Sequence, residues 1–285
     1  MISYPQAVIF GLLQGITELF PISSLGHSVI LPKTFGWNIN QNDPFFLTFL
    51  VATHAATSLV LFIFFWKDWK RIILGLIRSL REREIKETDS DAKLGWLLVT
   101  ATIPAGILGL LFEDRLKILF ASPNLVAFVL MLNGLLLFGA EILRRKIKEK
   151  TAVQSDERIA KISYSKAVRV GLIQCLALIP GFSRTGATIT GGLLVGLSHE
   201  DAARFSFLLA TPIIGAAAFL KLPELNTQGE SAFIGQALVG ALFAGIAAYL
   251  SVRFLIKYFE TKNLTPFAIY CVVLGGLTSL LFFFR

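Results

Sequence analysis

The chain reads as an all-α integral membrane protein with an inverted-topology repeat, each half a re-entrant helical hairpin followed by three transmembrane helices. Three observations carry that reading. Hydrophobic residues make up 54% of the 285 positions and charged residues 16%, and several runs approach the ~20 apolar residues that cross a bilayer. The opening pattern Tyr4-x-x-Ala7-Val8-x-x-Gly11-Leu12-x-Gln14 returns as Tyr164-x-x-Ala167-Val168-x-x-Gly171-Leu172-x-Gln174. Each copy then runs into a polar stretch punctuated by Gly and Pro, and broken apolar segments at corresponding places in two halves mark a buried site.

From the N-terminus, the segment 4–36 holds an apolar helix, a break at Pro21 and a second short apolar stretch. It lacks the basic flank of a cleaved signal peptide, and Glu18 stands where a cleavage site would fall. Spans are expected near 45–66, 95–112 and 123–143. The connector 67–93 carries eight Lys/Arg mixed with Glu82, Glu84, Glu87, Asp89 and Asp91, and reads as a solvated, partly helical loop. The connector 113–122 has two basic residues, the connector 144–166 has eight, and 222–231 has none. This alternation places the two rich connectors on the cytoplasmic face. The net charge of +8 is thus accounted for by topology, and nucleic acid is excluded as a partner. The segment 164–198 repeats the hairpin design, and spans follow near 202–221, 232–256 and 265–284. Repeat matches continue in Phe49-Leu50-x-Ala52-Thr53 with Phe207-Leu208-x-Ala210-Thr211, and in Leu98-Val99 with Leu238-Val239. The chain is one membrane domain, 1–285, with halves 1–143 and 164–285 joined by a basic cytoplasmic linker, 144–163.

Three true spans per half is an odd number, so the second half is inverted relative to the first. The two hairpins then enter from opposite faces and meet at mid-depth, where non-helical backbone is tolerated only in a protein interior or a cavity. The competing topology counts 4–20 and 164–180 as full spans and makes the repeats parallel. It fits the loop charges less well.

The chemistry gathers in the breaks. Arg184 sits in apolar sequence, at a cost of at least ~2.5 kcal/mol at a helix centre unless it is partnered. It is either an ion-pair partner of Glu18 or a phosphate clamp, since the guanidinium fork matches phosphate oxygens. Ser183, Thr185, Gly186 and Thr188 surround it, with Gly181 ahead, as in an anion-binding helix N-terminus. Glu18 pairs with Arg184, holds a metal, or acts as a base. Gln14 lies one turn earlier on the same face, and two oxygen-bearing groups suit Mg²⁺ or Ca²⁺. Ser23, Ser24 and His27 follow Pro21. Ser24 and His27 are spaced to hydrogen-bond across a turn, as an activated nucleophile or as an N-cap and a buried histidine. His54 lines the cavity or bonds a neighbouring carbonyl. Glu141 is expected to pair with Arg144 and Arg145, Ser198 to cap a helix over Asp201, and Pro104 and Pro212 to kink theirs. Cys175 and Cys271 read as small core residues.

The run Gln14-Gly-Ile-Thr-Glu18-Leu-Phe-Pro21-Ile-Ser23-Ser24-Leu-Gly26-His27 resembles the glutamate-rich motif of the bacitracin-resistance type undecaprenyl-diphosphate phosphatases. Pro180-Gly181-Phe-Ser183-Arg184-Thr185-Gly186-Ala-Thr188 resembles their phosphate-binding motif. The likeness covers essentially the whole chain, through Pro266-Phe-Ala-Ile-Tyr270. It implies removal of the terminal phosphate of a C55 polyprenyl diphosphate in the bacterial plasma membrane, with a divalent cation, at a site open to the outer face. The product is the lipid carrier of peptidoglycan synthesis, and removing the diphosphate confers bacitracin resistance. Glu18 would be the essential acid, Ser24 the nucleophile or phosphate ligand, His27 the acid/base and Arg184 the clamp. Gln14 stands where Glu is commoner in that family, Thr185 where Ser is, and His54 where some relatives have Gln. The expected partners are the polyprenyl diphosphate, membrane lipids and a second copy of the chain. The rival readings are a transporter, in which Glu18 and Arg184 form a gating pair, and a lipid flippase. Neither needs the Ser24–His27 pair.

Overall fold

The computed structural model describes residues 2–37, 39, 43–119, 122–144, 155–221 and 234–284, and for residues 44, 113–119, 220 and 221 the backbone alone. The described residues form helices and connecting turns. The first half comprises α1 (Tyr4–Thr17), α2 (Ser24–Phe35), α3 (Pro44–Phe64), α4 (Trp66–Glu82), α5 (Ser90–Leu119) and α6 (Pro123–Arg144). A short α7 (Ser155–Ala160) precedes the second half: α8 (Tyr164–Gln174), a 3₁₀ turn (Cys175–Leu178), α9 (Arg184–Leu194), α10 (His199–Lys221), α11 (Ile234–Phe259) and α12 (Thr265–Phe283).

Six helices are long and apolar enough to cross a bilayer, over Phe45–Phe64, Ser90–Phe112, Pro123–Arg144, His199–Phe219, Ile234–Phe259 and Thr265–Phe283. These are the six expected spans within a few residues. The helices α5 and α10 continue through Pro104 and Pro212. The charge-poor connectors 113–122 and 222–231, and linker residues 145–154, lie largely or wholly outside the described residues.

Small residues set the packing. Tyr4 lies against Gly235, Gly11 against Gly240, and Gly15 against Ala244, Ala247 and Ala248, so α1 and α11 run side by side in the same direction. A Cβ on Gly11 would collide with the Gly240 carbonyl. In the other half Lys93 covers the Tyr164 ring at 3.8 Å, and Gly171 faces Ala101 and Pro104, so α8 runs parallel to α5. Close approach through small residues is the usual way helices associate in lipid. Each broken element therefore leans on a long helix of the opposite half. The α6–α12 pair crosses between halves antiparallel, with Gly134 against Ala268 and Gly275 against Ala127 and Met131.

The basic connector after α3 is partly helical and largely exposed, as expected, and one face of its helix is buried in addition. Residues 66–82 form α4, one face of which (Trp69, Ile72, Gly75, Ser79) is buried. Gly75 abuts Ala92, and Trp96 Nε1 donates to Ser79 Oγ at 2.9 Å. A helical period runs through that segment beneath its mixed charges. An ion-pair lattice joins α4, α7 and α10: Asp156 takes Arg71 at 2.8 Å and Arg204 at 2.6 Å, and Asp201 takes Arg158 at 2.7 Å. Glu141 also gains partners from other elements. Its Oε1 accepts from His199 Nε2 at 2.6 Å and from the Leu264 amide at 2.8 Å, while Arg144 Nη1 donates to His199 Nδ1 at 2.6 Å. Arg145 lies outside the described residues. Ser198 caps α10 as expected, accepting from the Asp201 amide at 3.0 Å.

Candidate active site

Both breaks are built the same way: a helix stops, the chain turns, and a new helix starts on a serine cap. In the first, α1 ends at Thr17 and the Glu18 amide still reaches the Gln14 carbonyl at 2.9 Å. Ser23 then adopts φ 70° and ψ 98°, and its Oγ accepts from the Gly26 amide at 3.2 Å to start α2. A serine at positive φ is uncommon and is held by its surroundings. In the second, the 3₁₀ turn leads to Gly181 at φ 107°, and Ser183 Oγ accepts from the Gly186 amide at 3.1 Å to start α9. Only glycine suits position 181, since a Cβ there would also lie 2.6 Å from the Val126 carbonyl.

The two breaks touch. The Gly181 backbone lies against Gly26, and the Thr185 hydroxyl donates to the Glu18 carbonyl at 2.9 Å. Asn133 of α6 stands between them. Its Nδ2 donates to the Pro21 carbonyl at 3.0 Å and its Oδ1 accepts from the Ser183 amide at 3.0 Å. One buried amide thus pins both breaks, each of whose backbone groups would otherwise be orphaned at a cost of ~1–3 kcal/mol.

Glu18 is the hub. Arg184 Nη2 donates to Oε1. Oε2 receives Gln14 Nε2 at 3.0 Å and the Ser24 hydroxyl, and His54 Nε2 lies 3.4 Å away. His54 Nδ1 bonds the Leu50 carbonyl of its own helix at 2.8 Å. The helices α2 and α9 begin here, and two helix N-termini favour an anion.

The Ser24–His27 pairing foreseen from spacing is replaced by other bonds. Ser24 gives its hydroxyl to Glu18, while His27 Nδ1 bonds the Ser23 carbonyl at 2.7 Å and Nε2 the Tyr270 hydroxyl at 2.7 Å. A carboxylate outcompetes a neutral imidazole for a hydroxyl proton. The Thr188 hydroxyl reaches Gln174 Oε1 at 3.1 Å and the Arg184 carbonyl at 2.9 Å. Three buried atoms of site residues, Gln14 Oε1, Gln174 Nε2 and Arg184 Nη1, have no hydrogen-bond partner. In so well-bonded a cluster these are the atoms open to a ligand. Asn133, Gln174 and Tyr270 were not singled out from sequence. Gln174 carried a usable signal as the repeat partner of Gln14, whereas Asn133 carried none beyond being polar inside an apolar span.

Among the described residues no group of three or more His, Cys, Asp or Glu side chains converges as a complete metal cage. What a hard cation would find is Glu18 and the unpartnered Gln14 Oε1. That is too few protein oxygens for a dedicated site, but it is the donor set of a cation completed by substrate phosphate oxygens and water.

Residues 7–277 match the sequence model of a family described as bacitracin resistance protein BacA. The chain is 46% identical over 294 residues to an undecaprenyl-diphosphatase of Mycolicibacterium paratuberculosis, with 96% of each protein covered. It is 45% identical to one from Mycobacterium avium, again with 96% of each covered. It is 43% identical over 274 residues to the undecaprenyl-diphosphatase 2 of Chromobacterium violaceum, with 95% of each covered.

Proposed function

The chain belongs to the BacA family of bacitracin resistance proteins, and on that premise we propose that it hydrolyses undecaprenyl diphosphate to undecaprenyl phosphate and inorganic phosphate. The observation that carries the reading is the cluster in which Arg184, Ser24 and Gln14 converge on Glu18 at the junction of two helix N-termini. A diphosphate needs neutralising donors more than covalent help, and positioning with charge stabilisation dominates phosphoryl transfer. The reaction recycles the lipid carrier of cell-wall synthesis and removes the form of the lipid on which bacitracin acts.

Arg184 Nη1, buried and unpartnered, meets a phosphoryl oxygen, and the first turn of α9 from Ser183 to Gly186 faces its neighbours, with Gly181 allowing close approach. Thr185 and Thr188 act from behind, fixing the turn that presents Arg184. Ser23 caps α2 and so aims Ser24. Ser24 attacks the terminal phosphorus in line or orients the water that does. Its proton points at the Glu18 carboxylate, which is therefore the nearest acceptor. The P–O–P bond breaks and the lipid phosphate departs; where Ser24 is the nucleophile, a water then cleaves the phosphoseryl ester to release inorganic phosphate, and His27 handles the proton of the leaving oxygen or of the water. Glu18 and Gln14 would hold Mg²⁺ or Ca²⁺, which supplies charge neutralisation on the bridging phosphates when bound.

The inverted repeat is part of the proposal. The packing of α1 along α11 and of α8 along α5, each pair parallel, supports two hairpins entering from opposite faces. With the basic connectors inside, the site lies in the bacterial plasma membrane, reached from the outer face. A homodimer is carried forward from the family reading, to be checked by the mass of the detergent-solubilised particle. The relatives are named for hydrolysis, and no feature of the site favours transport over it.

The decisive experiment is phosphate release from a polyprenyl diphosphate by the purified protein, with and without Mg²⁺ or Ca²⁺, beside Arg184→Ala. Cation-dependent release that collapses in the variant is expected. A folded protein that binds the lipid without releasing phosphate would overturn the reading.

A further inference from the structure

His27 is buried, at 5% exposed, and both of its ring nitrogens are engaged. Nδ1 lies 2.7 Å from the Ser23 carbonyl, which can only accept, so Nδ1 carries the proton. In the neutral ring Nε2 is then a bare acceptor, and the Tyr270 hydroxyl at 2.7 Å donates to it. The two rings are also stacked, with centroids 5.7 Å apart and planes 8° from parallel. Tyr270 comes from α12 and is 41% exposed, so it stands at the protein's edge with His27 behind it. Its neighbour Cys271 reaches Asn133 at 3.4 Å, which ties this stretch of α12 to the amide that pins the two breaks.

We propose that Tyr270 is a positioning residue of this site: its ring and hydroxyl hold His27 in the Nδ1-protonated tautomer and keep Nε2 as the atom that exchanges a proton during turnover. The proposal rests on the phosphatase reading for its catalytic part, whereas the tautomer it assigns is a property of the protein by itself. Nδ1 is bonded to backbone and has no freedom to serve the reaction. Nε2 is the only ring atom able to reach a phosphate oxygen or a water, and the phenol is its partner until one arrives. A histidine whose second nitrogen is fixed by a hydrogen bond is the general way proteins choose which tautomer does the work.

The test uses the full-length protein in detergent. The chain has three histidines, His27, His54 and His199, so ¹⁵N ring labelling gives three resolvable pairs, with His27→Gln assigning the first. The wild-type His27 pair should report a protonated Nδ1 and a hydrogen-bonded, unprotonated Nε2. Tyr270→Phe keeps the stacking and removes the donor. It should move the His27 Nε2 resonance alone and lower kcat about ten- to hundred-fold with KM little changed. Tyr249→Phe, on lipid-facing α11 and packed on Phe64, is the control and should do neither. An unmoved Nε2 resonance in Tyr270→Phe overturns the assigned pair. A moved resonance with unchanged kcat overturns the positioning role, and so does a parallel loss of kcat and thermal stability that Tyr249→Phe reproduces. Absence of phosphate release by the wild-type protein would remove the phosphatase reading and the turnover role together, with the tautomer still read from the spectrum.

Discussion

The buried Glu18 and the half-buried Arg184, 166 residues apart in the chain, form an ion pair that closes the junction between the two breaks. Removing one member of such a pair strands the other. Arg184→Ala is expected to abolish phosphate release and to cost about 3–5 kcal/mol of stability. Combining it with Glu18→Ala should recover much of the stability and none of the activity. Thermal unfolding in detergent beside a phosphate assay checks both. Additive losses in the double variant would mean that the pair is not energetically coupled.

Asn133 satisfies the Pro21 carbonyl and the Ser183 amide together. Asn133→Leu fills the space and leaves both unpaired, at about 2–6 kcal/mol in total. Activity should fall along with stability, because the two breaks lose their common anchor. A stable variant with full turnover would show that the anchor is dispensable.

Gln14 donates to Glu18 and leaves its own oxygen open. Gln14→Glu replaces the donor with a second carboxylate facing the first. Without cation the like charges should lower the melting temperature. With Mg²⁺ the variant should recover, and its half-saturating cation concentration should fall about tenfold relative to the wild type. Differential scanning fluorimetry across a Mg²⁺ series measures both. Insensitivity of the variant to cation would speak against Glu18 and Gln14 as its ligands.

The proposed topology fixes which faces are reached. In a background lacking Cys175 and Cys271, Lys33→Cys near the end of α2 should react with a membrane-impermeant maleimide in intact cells or spheroplasts. Lys86→Cys and Lys262→Cys should react only after permeabilisation. Ser3→Cys, ahead of α1, should label from the same side as Lys33→Cys, and labelling of the Ser3 and Lys33 variants from opposite sides would rule out the re-entrant first hairpin.

The six spans and both breaks were legible because each rests on local signals: apolar length, and Gly, Pro and Ser punctuation. So was the partnership of Gln14 with Glu18, a helical spacing. The Ser24–His27 pairing failed because spacing along α2 says nothing of the carboxylate that α1 delivers beside it. The buried face of α4, within a connector expected to be partly helical, was hidden by charges on its exposed side, which obscured the apolar positions Trp69 and Ile72 on the other. Asn133 and Tyr270 act through contacts with residues far away in sequence, and one chain read alone gives such positions no mark.

The crossing of partners between halves bears on how the chain is made. Helix α1 lies along α11, which is synthesised near the end, so the first break emerges long before the helix that flanks it. Its uncovered carbonyls and amides cannot rest in hydrocarbon. On the proposed topology the first hairpin would wait at the membrane surface or in the insertion machinery until the last helices arrive, and a nascent chain that stalls before α11 would carry Glu18, Ser24, His27 and Arg184 and still have no closed site.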